Sequence, residues 1–206
     1  MPSLPSGIDR IMKEYFDTYQ KTVPQTVPSI LSSLGVTLFP NTELLATWQN
    51  NRKGIQWNDE KGNLLRGAVD YILEKDDKLI VLDFKTRGWP LKQDSVDRYQ
   101  DQLNIYNFLL QKNGHTTQDY SYLLYLDPKE AIDQDIKVET NVDIKQHNIV
   151  STVGVTFRVT LVTMPTFATD AETFYKKAIT LLEGSLPASA EKCGHCKYAR
   201  SLAQIQ

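Results

Sequence analysis

The stretch that most restricts how this chain folds runs from Leu64 to Thr86: two runs, LLRGAVDYILE and LIVLDFKT, separated by the charged tetrad KDDK. Apolar runs of this length flanking a polar tetrad read as two antiparallel strands joined by a hairpin turn. Centring the turn between Asp76 and Asp77 fixes the register and sets Asp70 across from Asp83. Side chains alternate along a strand, so Lys85 shares a face with Asp83 while Phe84 points away. The aliphatic segment Leu79 to Leu82 reads as buried, yet it leads straight into Asp83 and Lys85, charges that a buried strand ordinarily avoids.

Opposed residues in such a ladder have Cβ atoms about 4.5–5.5 Å apart, so two ionised aspartates repel unless a cation lies between them. A hard divalent ion such as Mg²⁺ or Mn²⁺ meets that need with few protein oxygens. A water held by Lys85 beside such an ion would attack a phosphodiester, and the ammonium would offset charge growing on the phosphate oxygens. An Asp and a Lys two apart at a strand end are ordinarily a surface ion pair worth about 0–1 kcal/mol. The opposing Asp70 sets this pair apart. Gly67 suits close approach of another backbone, and Arg66 lies at the same edge.

The remaining pattern supplies a frame for the hairpin. An amphipathic helix is expected over residues 5 to 20 with Ser6 as its cap, then a proline-containing connector, a helical turn at Ser29 to Leu34 and a short helix at Thr42 to Trp48. Ser95 to Leu110 carries apolar residues at spacings of three and four and closes on Asn113-Gly114. Strands follow at 120 to 126 (ended by Asp127-Pro128), 136 to 142 and 153 to 163. A last helix spans Asp170 to Leu182, capped by Thr169 or Asp170, before a CGHC tail. This order predicts an α/β chain with helices flanking a mixed sheet. At 206 residues we expect a single domain: residues 1–60 as a helical elaboration, 64–126 as the core, and 127–206 as added strands, helix and tail.

Composition narrows the function. A net charge of -2 gives no global basic field. No Walker-type loop, GxGxxG or serine elbow appears, which removes support for ATP-driven, dinucleotide and acyl-transfer enzymes. No run approaches the roughly 18 apolar residues of a membrane span, and the start of the chain lacks a signal-like apolar stretch, so a soluble cytoplasmic protein without membrane contact is expected. Two cysteines in one CxxC agree with a reducing compartment.

Taken together, RGAVD (66–70), LDFKT (82–86) and QLNIY (102–106) resemble the PD-(D/E)XK nuclease superfamily. Within it they are similar to the RecB-like and CRISPR-associated exonuclease branch, with its GxxD, D/ExK and QxxxY motifs in this order. The resemblance implies a restriction-endonuclease-like core. It makes Asp70 and Asp83 metal ligands, with the Phe84 carbonyl as a third, and Lys85 the catalytic lysine. Gln102 and Tyr106, one helical turn apart, would hold DNA or orient the site, although a tyrosine on such a stripe is by itself usually core.

The family often adds an acidic residue or histidine from an N-terminal helix, for which Glu14 and Glu43 are the candidates. Many members of this branch bind an iron–sulfur cluster through four cysteines. Cys193 and Cys196, even with His195, do not complete such a site, so no cluster is expected. Basic residues beside aromatics (Arg52, Lys53, Gln56 and Trp57, then Arg87 and Trp89, with Arg66) suggest contacts to a DNA strand. The activity implied is a Mg²⁺- or Mn²⁺-dependent, exonuclease-like deoxyribonuclease of DNA repair, recombination or defence. The alternative is a non-cleaving module that binds DNA or a partner protein.

Overall fold

The turn at Asp76-Asp77 is where the fold is set. Both residues adopt left-handed φ, 53° and 57°, the geometry of a two-residue hairpin loop whose twist matches that of its strands. It joins β4 (Tyr71–Lys75) to β5 (Lys78–Thr86) with Lys75 opposite Lys78 and Tyr71 opposite Leu82, the register expected from the sequence. A computed structural model of the chain describes residues 3–88, 96–132, 154–185, 188, 190 and 192–203.

Around the hairpin lies a five-stranded sheet ordered β1-β4-β5-β6-β7, from β1 (Thr37–Leu38), β6 (Tyr120–Ile132) and β7 (Gly154–Pro165). Only β5 and β6 run parallel within it; the other neighbours are antiparallel. A parallel pair requires a crossover, and α3 (Gln100–Lys112) lies in that connection. Every residue of β5 from Leu79 to Phe84 is buried, as a strand covered on both faces must be. Helix α1 (Leu4–Gln20) covers one face: its buried Phe16 meets the rings of Tyr71 and Phe84 at 5.1 Å each. On the opposite face α3 contributes the buried Leu103, Tyr106 and Leu109. The mixed sheet between helices is the expected α/β, restriction-endonuclease-like arrangement.

Several boundaries differ from the sequence expectation. The cap of α1 is Ser3, whose hydroxyl accepts the Ser6 N–H, and not Ser6 itself. The run LLRGAVDYILE is two strands: β3 (Leu64–Gly67) pairs with the unforeseen β2 (Ile55–Asn58) in a separate sheet, and the chain turns away at Ala68 to Asp70 before β4. Because α2 (Thr42–Gln49) straps this turn, accepting the Val69 N–H at Trp48 O and donating from Gln49 Nε2 to Asp70 O at 2.7 Å, the run cannot stay straight.

Strand β6 continues through Asp127-Pro128, where the register with β7 shifts between Pro128 and Glu130. Helix α4 spans Ala168–Glu183 with Phe167 at its cap position rather than Thr169 or Asp170. The CGHC tail leads into a helix, α5 (Gly194–Ala203). The strand expected at 136–142 and the contact residue Trp89 lie outside the described residues. Among the described residues no helix is long and apolar enough to cross a membrane.

Candidate active site

Asp70 ends the strapped turn one step before the β4 ladder. Freed from strand pairing, its carboxylate caps β5: Oδ2 accepts the Phe84 N–H at 2.8 Å. Its other oxygen, Oδ1, lies 3.0 Å from Lys13 Nζ of α1, and Lys13 also reaches Asp9 Oδ2 at 3.0 Å. Burial lowers the Lys13 ammonium's proton affinity, but the charges of Asp70 and Asp9 outweigh it and the net shift is upward.

Asp83, only 1% exposed, points into the same cleft. Its Oδ2 sits 2.5 Å from Lys85 Nζ, yet no donor meets that buried oxygen with hydrogen-bond geometry. Burial pushes the Asp83 carboxyl up to about 7, against the pull of Lys85 and with the charge of Asp70 adding to the rise. Lys85 is held on its far side by the ring of Tyr99, 4.7 Å from Nζ to centroid. Arg87 in turn donates from Nε (3.2 Å) and Nη2 (2.5 Å) to the Tyr99 hydroxyl. An acid, an ammonium and an aromatic face thus fix one another at the end of β5.

Gln102 and Tyr106 form the α3 wall, with Gln102 Nε2 donating to Tyr106 Oη at 2.7 Å. The Tyr106 hydroxyl is pushed up to about 12 by burial, opposed by Gln102 and reinforced by the charges of Asp83 and Asp70. Gly67 does permit a close approach, but to a ring: a Cβ there would lie 2.7 Å from Tyr106 Cε1. Together these residues line a cavity of about 530 Å³ that includes Asp9, Asp70, Asp83, Phe84, Lys85 and Tyr106.

The sequence-derived candidates divide between this cleft and elsewhere. Asp70, Asp83, Phe84, Lys85, Arg87, Gln102 and Tyr106 line it. Arg66 lines an adjoining cavity with Gln102 and Tyr106. Arg52 and Lys53 are exposed on the turn before β2. Trp57 lies in a separate corner, its ring against Phe108, Tyr175 and the Lys112 ammonium. Glu14 pairs with Arg10 on the exposed side of α1, and Glu43 is exposed in the first turn of α2; neither lines the cleft.

Asp9 and Lys13 do line or reach the site and were not singled out from sequence. Their spacing of four, an ordinary surface pair on a helix, carried no separate signal. Tyr99 has the spacing of an apolar stripe in the sequence, which gives no sign of its contact with Lys85. Cys193 and Cys196 are free thiols, the first accepting the Cys196 N–H at the start of α5.

The donor set suits a hard divalent cation. Among the described residues no three His, Cys, Asp or Glu side chains converge on one point, but Mg²⁺ commonly takes one or two carboxylates and fills its shell with water and substrate oxygens. Asp83 Oδ2, buried beside the Lys85 ammonium, is an oxygen whose desolvation such an ion would further offset. Asp70 Oδ1 already attracts a cation in Lys13.

The profile of the PD-(D/E)XK nuclease superfamily matches residues 6–201. Over 66 residues, 31% of this chain, the sequence is 35% identical to the exonuclease/helicase subunit RexA of Lactococcus lactis subsp. cremoris (strain MG1363). That stretch is 6% of RexA, so the chain corresponds to a small part of this curated relative. No solved structure matches.

Proposed function

The chain belongs to the PD-(D/E)XK nuclease superfamily, and we propose that within it this protein is a divalent-metal-dependent deoxyribonuclease of the RecB-like, exonuclease-like kind. The observation that carries the reading is the junction at the end of β5: Asp70 bound to the Phe84 N–H, and Asp83 against Lys85, in one cleft. Bound Mg²⁺ or Mn²⁺ would supply Lewis acidity and charge neutralisation at the phosphate.

The chain's own residues do the rest. Asp70 and Asp83 would hold the ion, with Phe84 offering its carbonyl at the same strand end. Lys85, steadied between Asp83 and Tyr99, orients the attacking water and shares the negative charge of the pentavalent phosphorus. The buried floor at Asp83 excludes bulk water and strengthens each of these contacts. Gln102 and Tyr106 flank the phosphate from α3.

The test is cleavage of end-labelled single- and double-stranded DNA with Mg²⁺ or Mn²⁺, beside Asp83→Ala. Metal-dependent cleavage lost in the variant supports the reading, and the product ladder separates cutting from an end from internal cutting. The second reading, a module that grips DNA or a partner inside a larger assembly without cutting, draws on the likeness to one segment of a helicase-linked subunit. It predicts DNA retention with no product from the wild type.

A further inference from the structure

The cleft does not end at Tyr106. A second cavity of about 600 Å³ adjoins it, and the two share Asn51, Ala68, Gln102 and Tyr106 as a common wall. Beyond that wall the lining turns basic, with Arg66 from β3 and Arg98 from the turn entering α3, beside a single acid, Asp101. Both arginines are exposed. Arg66 Nη1 donates to Arg52 O at 2.5 Å, which fixes the guanidinium at the rim and leaves the rest of its donor fork for a ligand.

The wall between the two cavities is stiff. Gln102 and Tyr106 are hydrogen-bonded to each other, and the β3 backbone at Gly67 presses on the Tyr106 ring so closely that even a methyl group would collide. An extended polyanion with one phosphate at Lys85 and its chain passing over this wall would present its next charges to Arg66 and Arg98. Guanidinium groups match phosphate oxygens in pairs, and such contacts position a strand without reading its bases. We infer that the second cavity is a subsite for the sugar-phosphate backbone flanking the bond to be cut, with Arg66 and Arg98 as its phosphate donors. The inference rests on the nuclease reading above and adds to it the side on which the strand continues.

A substrate-length comparison tests it. The full chain, as wild type and as the double variant Arg66→Gln, Arg98→Gln, is assayed with Mn²⁺ on a labelled oligonucleotide and on bis(p-nitrophenyl) phosphate, which carries a single phosphate and has none to offer a second subsite. For the oligonucleotide the variant should show KM raised about tenfold and a log–log salt slope shallower by about 1.4, the value for two contacts on a single strand. Hydrolysis of the small diester should stay within about twofold of wild type.

An unchanged oligonucleotide KM and salt slope would overturn the subsite, as would an equal loss on both substrates. If the wild type hydrolyses neither, the nuclease reading fails on its own. Oligonucleotide anisotropy in Ca²⁺ then decides the subsite: a tenfold weaker Kd in the variant upholds a backbone groove, and an unchanged Kd removes it.

Discussion

Two aspartates in this molecule live opposite lives. Asp59, in the β2–β3 turn, accepts from the Lys61 and Asn63 N–H groups, from Asn63 Nδ2 and from the Tyr175 hydroxyl at 2.8 Å. These bonds, the Asn63 side chain foremost and opposed only by slight burial, bring its carboxyl down to about 2. The cavity beside it, about 450 Å³ between Trp57 and α4, has charges that answer each other: Lys61 with Glu183 at 3.1 Å and Lys176 with Glu172 at 2.9 Å.

Asp83 is buried with the Lys85 ammonium against its Oδ2 and the charge of Asp70 nearby, and its proton affinity rises because burial outweighs the pull of Lys85. A carboxylate saturated by its own fold is a fastener. One buried beside a second acid is costly to ionise, a cost that a proton or a bound cation relieves. That contrast, and not cavity size, separates the cleft from the corner at Trp57.

The largest test of the contrast is Lys85→Ala. Cleavage should fall by about three orders of magnitude with the circular dichroism spectrum of the folded chain kept; wild-type rates would remove the mechanism. Next comes Asp83→Asn in metal-free buffer. The folded-state value near 7 lies above the ordinary 3.8, so Asp83 contributes stability while protonated, and that contribution is lost as pH rises through about 7. The variant should therefore lose cleavage yet melt roughly 3–6 °C higher near pH 8, and its melting should depend less on pH between about 4 and 8. A lower melting temperature would refute the idea of a strained carboxylate.

Tyr99→Leu removes the aromatic face under Lys85 and should lower kcat about tenfold with KM little changed. Tyr99→Phe, which keeps the ring, should restore most of it, and equal losses in both would point to Arg87 instead. The smallest effect belongs to the fastener. Asp59→Ala should lower the melting temperature by roughly 2–4 °C and leave cleavage alone. Because its folded value lies below 3.8, Asp59 stabilises above about pH 4, and that support should fade as the pH falls towards 2 in the wild type only.

The hairpin was the most legible part of the fold because its information is local. A two-residue turn and side-chain alternation determine which residues share a face, so Asp83 and Lys85 could be brought together, with Phe84 directed away, from sequence alone. The same alternation could not show that Asp70 leaves the ladder to bind the Phe84 N–H. That depends on Trp48 and Gln49, distant in the chain and unremarkable as letters. Asp9 and Lys13 were hidden for a similar reason: only the docking of α1 decides which of its polar residues face the cleft, and Glu14, one step further on, ends up outside. Tyr99 had the spacing of a core residue, and its contact with Lys85 appears only once the start of α3 is set against the end of β5.

The short turn at Asp76-Asp77 also bears on the order in which the chain assembles. It brings Asp70 to the β5 backbone across a separation of 14 residues, whereas α1 reaches β4 across 54, as in the contact of Tyr71 with Asp17. Closing the nearer loop costs less entropy, so the hairpin contact is the cheaper of the two to form. Docking of α1 sets the Lys13 ammonium against Asp70 Oδ1, so the helix is held in place by charge as well as by Phe16. A cation in the buffer would compete with Lys13 for that oxygen, so the ionic composition of the buffer bears on how firmly α1 is seated.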